Sequence, residues 1–536
     1  MKLTLNGIQN PAPWQAAGIT LPGFDIGKMR AATAASPRWV HFGAGNIFRG
    51  FIARLQQNLL EQGLAETGII AAEAFDFDII TQIYAPHDNL ALLATLLADG
   101  GIDKTVVASL AEGLRAGEAY PQDMARLVEV FQSPSLQMVS FTITEKGYAL
   151  RDLQGEFLPA VQASLAAGPG PCPHMMGLTA ALLFARWQAG ATPVALVSMD
   201  NCSHNGEKLR ESVLALAEGW LAGGLVPQGF VDWLKDEGQV SFPWTMIDKI
   251  TPRPAPAVEA ALSALGVEDM APAVTGRGTY IAPFVNAERP QYLVIEDRFP
   301  HGRPPLEQAG AYLASRETVD LAERMKVTTC LNPLHTALAV FGCLLGYPTI
   351  AAEMGDPDLR ALVERIGYSE GLPVVENPGI LRPETFLREV LQERLPNPFL
   401  PDTPQRIATD TSQKVAVRFG ETVKRYAAKG QAGELVGIPL AIAGWLRYLL
   451  GVDDTGAPLS CSADPMLETL QSQLQGVRFG QPDSAPDGAL APVLSNTALF
   501  GIDLCAAGLA PKTGQMLRQM LAGPGAVRAT LKSWLG

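Results

Sequence analysis

The sequence predicts an α/β domain built on a parallel sheet, followed by a mainly α-helical C-terminal domain. Three observations predict this. Short, apolar, β-rich runs alternate with helical patterns from about Arg38 to Glu296. A glycine-bearing turn, GAGNIFR at 43–49, separates the first run from the first helix, as in a Rossmann-type fold. From about Leu306 onward the pattern becomes helical.

The predicted strands are WVHF (39–42), GIIAA (68–72), QMVSFTIT (137–144), PVALVSM (193–199) and QYLVIE (291–296). Several are almost continuously apolar, as expected of strands covered on both faces. After the first, Phe48, Phe51, Ile52, Leu55 and Leu59 recur at helical spacing, with Gly63 as the C-cap. In the second half ETVDLAERMK, PLHTALAVFGCLLGY, ETFLREVLQERL, SQKVAVRFGETVKRYAAK and IPLAIAGWLRYLL read as helices separated by Pro- and Gly-bearing turns. Segments 167–173 and 222–229 read as surface loops. The joint VIEDRFPHGRPPLE (294–307) is rich in proline and charge. It divides the chain into a Rossmann-type domain with extensions (1–300) and a helical substrate and catalytic domain (301–536).

Composition narrows the function. The 536 residues are 47% hydrophobic and 18% charged, enough to bury large cores. A formal net charge of −13, with no basic stripe among 41 Lys and Arg, argues against a nucleic-acid partner. Six cysteines lie scattered without a CxxC, which predicts reduced thiols and a cytoplasmic setting. The N-terminus lacks the apolar core of a signal peptide. The runs Thr336–Tyr347 and Ile438–Leu450 fall short of the ~18 apolar residues a membrane span needs. Six histidines form no HxxxH or HExxH pattern, so no metal is expected. The predicted partner is a small molecule, and the predicted state a monomer or small homo-oligomer.

Two constellations carry chemistry. In the first, Gly43 and Gly45 allow a tight turn and let backbone N–H groups approach a pyrophosphate at a helix N-terminus. Phe48 stands where a third glycine would complete GxGxxG, and an ordinary β–α turn is the plain alternative. Beyond the second strand, AEAFDFD offers Glu73, Asp76 and Asp78 to the adenosine ribose. A carboxylate there repels a 2′-phosphate, which favours NAD over NADP; which of the three acts is left open.

The second constellation is ERMKVTTCLNPLHTALA, with Lys326, Asn332 and His335. Reducing a ketone leaves an alkoxide that must be protonated, and a partly desolvated lysine can supply that proton. Amide and imidazole groups beside it can polarise the carbonyl. The structural alternative makes Asn332 an N-cap before Pro333, His335 a core histidine and Lys326 a solvated cation.

Seven segments in order resemble the mannitol dehydrogenase family of polyol-specific long-chain dehydrogenases. They are HFGAGNIFRGF (41–51), FTITEKGY (141–148), SMDNCSHNG (198–206), FPWTMIDKITP (242–252), VIEDRFPHGRPPLE (294–307), MKVTTCLNPLH (325–335) and PDTPQRIATDTSQK (401–414). The resemblance implies a metal-independent, NAD-dependent oxidoreductase. It implies D-fructuronate and D-mannonate as the substrate pair, with D-fructose and D-mannitol or tagaturonate as alternatives. It makes Lys326 the general acid/base, Asn332 and His335 its partners, and Glu323 a group exchanging protons with water. Asn201 resembles the asparagine that joins Asn332 in stabilising the oxyanion, and Asp248 a ligand of substrate hydroxyls. Arg406 and Lys414 match two cations lining the substrate pocket. Gly43, Gly45, Asn46, Phe48 and Arg49 match the cofactor loop, and Asp76 and Asp78 are the further residues expected to bind the cofactor. Two departures stand out: five residues rather than four separate Lys326 from Asn332, and Lys249 replaces the usual arginine. Further from this reading lie the β-hydroxyacid dehydrogenases and a non-catalytic NAD-binding sensor.

Overall fold

The computed structural model describes residues 1–152 and 154–536. Contacts divide them into two units, Met1–Leu96 with Gly101–Asp320, and Leu97–Gly100 with Leu321–Gly536.

The first unit is organised by six parallel strands: β1 (Trp39–Phe42), β2 (Ile69–Glu73), β3 (Leu110–Arg115), β4 (Met138–Phe141), β5 (Val194–Ser198) and β6 (Val240–Ser241). They lie in the order β3-β2-β1-β4-β5-β6. This is the doubly wound dinucleotide-fold order, with the topological switch between β1 and β4. Alternate side chains serve opposite faces. Val40, Phe42, Val139, Phe141 and Leu196 pack with Leu127, Phe131 and Trp220 on one side. Trp39, Met138 and Ala195 pack with Phe48, Phe51 and Leu55 on the other. Both faces are therefore dry, which is why these strands read as unbroken apolar runs.

The strand predicted at 291–296 forms at Tyr292–Glu296, but outside the parallel sheet. It is the centre of a separate mixed sheet, antiparallel to Thr245–Asp248 and parallel to Tyr312–Ala314. The predicted first helix also differs in detail. It opens with a wide π turn at Phe48–Ile52 before α1 (Ala53–Glu61), and Gly63 follows it at φ +69°.

The second unit is helical. Its central helix, α2 (Asn332–Leu345), is buried at nearly every position from Pro333 to Leu344. The helical run Arg316–Leu345 is long and apolar enough to cross a membrane, yet 72% of its apolar window is buried inside the protein, as in a core helix. The segments predicted at 384–395 and 412–429 each combine an α-helix with a π turn.

Candidate active site

In the first unit, the glycine turn sits at the carboxyl end of β1, beside the switch point. Gly43 has φ +101°, and a Cβ there would lie 2.2 Å from the Thr142 carbonyl oxygen, so only glycine fits. Gly45 is different: a Cβ there would meet nothing within 4 Å. Open space against a helix N-terminus is the cradle a pyrophosphate requires, so the turn fits a dinucleotide.

The rest of the predicted cofactor loop lies behind the turn. Phe48 is fully buried and stacks on His41, with ring centroids 4.1 Å apart. Arg49 is buried, donating to the Ala282 carbonyl at 2.8 Å and to Asn46 Oδ1 at 3.0 Å. Asn46 in turn reaches the Pro252 carbonyl at 3.4 Å. These side chains brace the turn from inside.

The three acids after β2 are each engaged by protein groups. Glu73 accepts N–H bonds from Ala44, Phe75 and Asp76. Burial raises its pKa above the ordinary carboxylate value, against those bonds. Asp76 accepts hydroxyl bonds from Thr275 and Thr279 at 2.6 and 2.5 Å, and Asp78 accepts the Gly276 N–H at 2.9 Å. Residues 275–279 form the tip of a hairpin, β7 (Ala273–Val274) and β8 (Tyr280–Ile281).

Asn201 lies exposed in the turn after β5. Sequence reasoning missed its neighbour Asp200, which accepts the N–H groups of Ile143 and Thr144, both at 2.9 Å, and the Tyr148 hydroxyl at 2.6 Å. Asp200 thereby ties this turn to the end of β4; the FTITEKGY and SMDNCSHNG segments were the available signal. Asp248 is buried at the end of Thr245–Asp248, paired in register with Tyr292. Lys249 donates to the Glu288 carbonyl at 2.8 Å and the Gln291 side chain at 2.9 Å.

In the second unit, Lys326 is 2% exposed and opens a π turn, Lys326–Cys330. The Leu331 N–H bonds the Lys326 carbonyl at 3.1 Å, an i→i+5 link that takes up one residue more than an α turn. The turn lies within the five-residue spacing before Asn332. Asn332 is the first residue of α2 and Leu331 stands at its N-cap, contrary to the reading of Asn332 as the N-cap. One turn on, His335 has its Nε2 3.5 Å from Asp402 Oδ2, without a hydrogen-bond partner among the described residues.

Burial and the positive charges of Arg418, Arg406, Arg394 and Lys414 hold the His335 pKa down at about 3. Arg406 engages the nearby Asp402 carboxylate. Arg418, which the sequence did not suggest, is anchored to α2 by donating to Thr336 Oγ1 at 2.6 Å. Lys414 is held by the Thr409 and Ile407 carbonyls. The second unit thus holds a buried lysine, an amide at the start of α2, a neutral imidazole and several cations. Such a set can hand over a proton, polarise a carbonyl and hold an anion.

The sequence model of the mannitol dehydrogenase Rossmann domain matches residues 37–308, and that of the mannitol dehydrogenase C-terminal domain residues 319–516. The chain is 50% identical to D-mannonate oxidoreductase of Thermotoga maritima, over 100% of this chain and 99% of that protein. It is 30% identical to mannitol 2-dehydrogenase of Cereibacter sphaeroides, over 85% of this chain and 88% of the other. Among solved structures it resembles substrate-free D-sorbitol dehydrogenase, with a TM-score of 0.82 at 25% identity over 99% of this chain and 100% of that one. It also resembles Pseudomonas fluorescens mannitol 2-dehydrogenase bound to NAD and D-mannitol, with a TM-score of 0.69 at 26% identity over 99% of each chain.

Proposed function

The chain belongs to the mannitol dehydrogenase family, and on that premise we propose that it is an NAD-dependent oxidoreductase interconverting D-fructuronate and D-mannonate. The observation that carries a sugar acid over a neutral hexose is the 50% identity over the whole chain to a D-mannonate oxidoreductase, and the positive charges of Arg418, Arg406, Arg394 and Lys414 acting at His335 are in keeping with it. Positive charge attracts an anionic substrate group more strongly than a neutral polyol.

Bound NADH supplies the hydride. The remaining work falls to side chains. Lys326 gives its proton to the developing alkoxide during reduction and takes it back during oxidation. Asn332 and neutral His335 donate hydrogen bonds to the substrate oxygen, which suits an imidazole that stays uncharged near pH 7. Glu323, one turn before Lys326, relays protons to water. Arg406, Lys414 and Arg418 bind the carboxylate. In the first unit, the turn at Gly43 and Gly45 receives the pyrophosphate.

NADH oxidation with D-fructuronate, D-tagaturonate and D-fructose as competing ketoses tests this assignment. D-Fructuronate should be turned over with the highest kcat/KM, by roughly ten- to a hundredfold over D-fructose, the margin a charge-assisted contact provides. Comparable rates with the hexose would move the assignment to a polyol dehydrogenase, and preference for tagaturonate to its epimer-specific counterpart.

A further inference from the structure

A surface feature of the first unit stands apart from the chemistry above. Phe75 lies two residues beyond the carboxyl end of β2 and is 64% exposed, an unusual position for a phenylalanine. The Arg277 guanidinium sits over its ring, 5.0 Å from the centroid. Arg277 is not simply a loose surface cation. It rides on the hairpin tip that Asp76 grips through Thr275 and Thr279, and that Asp78 grips through the Gly276 N–H. Within the tip, Gly278 N–H bonds the Thr275 carbonyl at 2.9 Å and Thr279 N–H bonds Thr275 Oγ1 at 3.0 Å. The acids expected at a ribose are here the clasp of a second element.

We propose that Phe75 and Arg277 form the platform on which the adenine ring of the dinucleotide stacks, with Asp76 and Asp78 acting as positioning residues that hold Arg277 in place. The proposal rests on the dinucleotide reading of the glycine turn. With the pyrophosphate at the end of β1, the adenosine half of the ligand extends over β2, on the side of the switch point where Phe75 stands. One face of the ring is taken by Arg277, while the exposure of Phe75 leaves the other open to a planar base. Stacking on an aromatic ring and cation–π attraction both suit a purine, and both tolerate its lack of charge. Arg115, at the end of β3, is committed elsewhere, to Asp123 at 2.7 Å and to the Tyr120 ring at 4.1 Å.

The test is calorimetric binding to the full-length protein, using NADH, ADP-ribose and nicotinamide mononucleotide as separate ligands. Phe75→Ala should weaken NADH and ADP-ribose by about tenfold or more, as loss of one base–aromatic stack does, and leave the mononucleotide unchanged. Phe75→Trp should retain tight binding, and Arg277→Ala should weaken the two adenosine ligands several-fold. Asp76→Asn, which weakens the clasp, should reproduce the Arg277→Ala pattern. Undiminished ADP-ribose binding by Phe75→Ala would overturn the platform, and so would equal losses for all three ligands, which would mark a general structural defect. A wild-type protein that binds neither NADH nor ADP-ribose would instead overturn the dinucleotide reading on which the platform depends.

Discussion

Glu73 at the end of β2 accepts the backbone N–H of Ala44 at 2.9 Å, so an acid on one strand fixes the glycine turn at the end of its neighbour. The turn is held in shape by protein contacts, and a ligand meets it preformed. Gly43 and Gly45 then separate structure from binding. Gly43→Ala forces a side chain into positive φ and against the Thr142 carbonyl, and should lower stability by about 1–3 kcal/mol. Gly45→Ala fills only open space; its Tm should stay within a degree or two of wild type while NADH affinity falls at least tenfold. Thermal melts with and without NADH on the two variants distinguish these effects.

Substrate charge is the second expectation. Arg418→Met removes one cation of the cluster at His335 and the bond to Thr336. A lost charged hydrogen bond is worth about 1.5–3 kcal/mol, so KM for D-fructuronate should rise roughly ten- to a hundredfold. KM for D-fructose and the dissociation constant of NADH should change little. Steady-state kinetics with both ketoses checks this, and equal losses on both would detach Arg418 from the carboxylate.

Acid stability follows from His41. It is fully buried, its ring nitrogens lie 2.6 Å from Ser140 Oγ and 2.9 Å from Thr142 Oγ1, and desolvation holds its pKa at about 3. Its folded pKa lies below the unfolded value of about 6.5. The unfolded chain therefore takes up a proton that the native protein refuses. Stability is fullest above pH 6.5 and declines as pH falls toward 3, by about 2 kcal/mol from this residue by pH 5. A His41→Asn variant that folds should show a flatter denaturation midpoint between pH 6.5 and 5.

Glu353 gives the opposite slope. It is wholly buried and neither carboxyl oxygen has a hydrogen-bond partner among the described residues; burial, with Asp356 nearby, raises its pKa to about 10. Here the folded pKa lies above the unfolded one, so the native protein keeps a proton that the unfolded chain releases. Stability is lost as pH rises from about 4.5 toward 10. Glu353→Gln, permanently neutral, should gain on wild type by about 1.4 kcal/mol per pH unit across that range, with no gain below pH 4.5. Urea denaturation at pH 5, 7 and 8.5 measures the slope.

Sequence reading reached the sheet because dry faces leave unbroken apolar runs, and WVHF at Trp39–Phe42 is the clearest case. It missed β3, LAEGLR, because an edge strand carries half-exposed polar residues, and β6, because two residues leave no periodic signal. QYLVIE was legible as a strand but not as belonging to another sheet, since a central strand is apolar whichever sheet it joins. The longer spacing between Lys326 and Asn332 was visible as a departure, while the π turn that lies within it is a matter of backbone geometry. Arg418 was out of reach for a different reason: 82 positions separate it from Thr336, and only folding joins them. The engagement of Asp76 and Asp78 by the hairpin, about 200 residues further on, was hidden in the same way.

Proton transfer by Lys326 is tested most directly by single-turnover reduction of D-fructuronate by the Lys326→Met variant preloaded with NADH. Removing a general acid of this kind costs about 10²–10⁴ in rate, so hydride transfer should slow by that factor while the dissociation constant of NADH stays at the wild-type value. A variant that reduces the ketose within a few-fold of the wild-type rate would contradict the account.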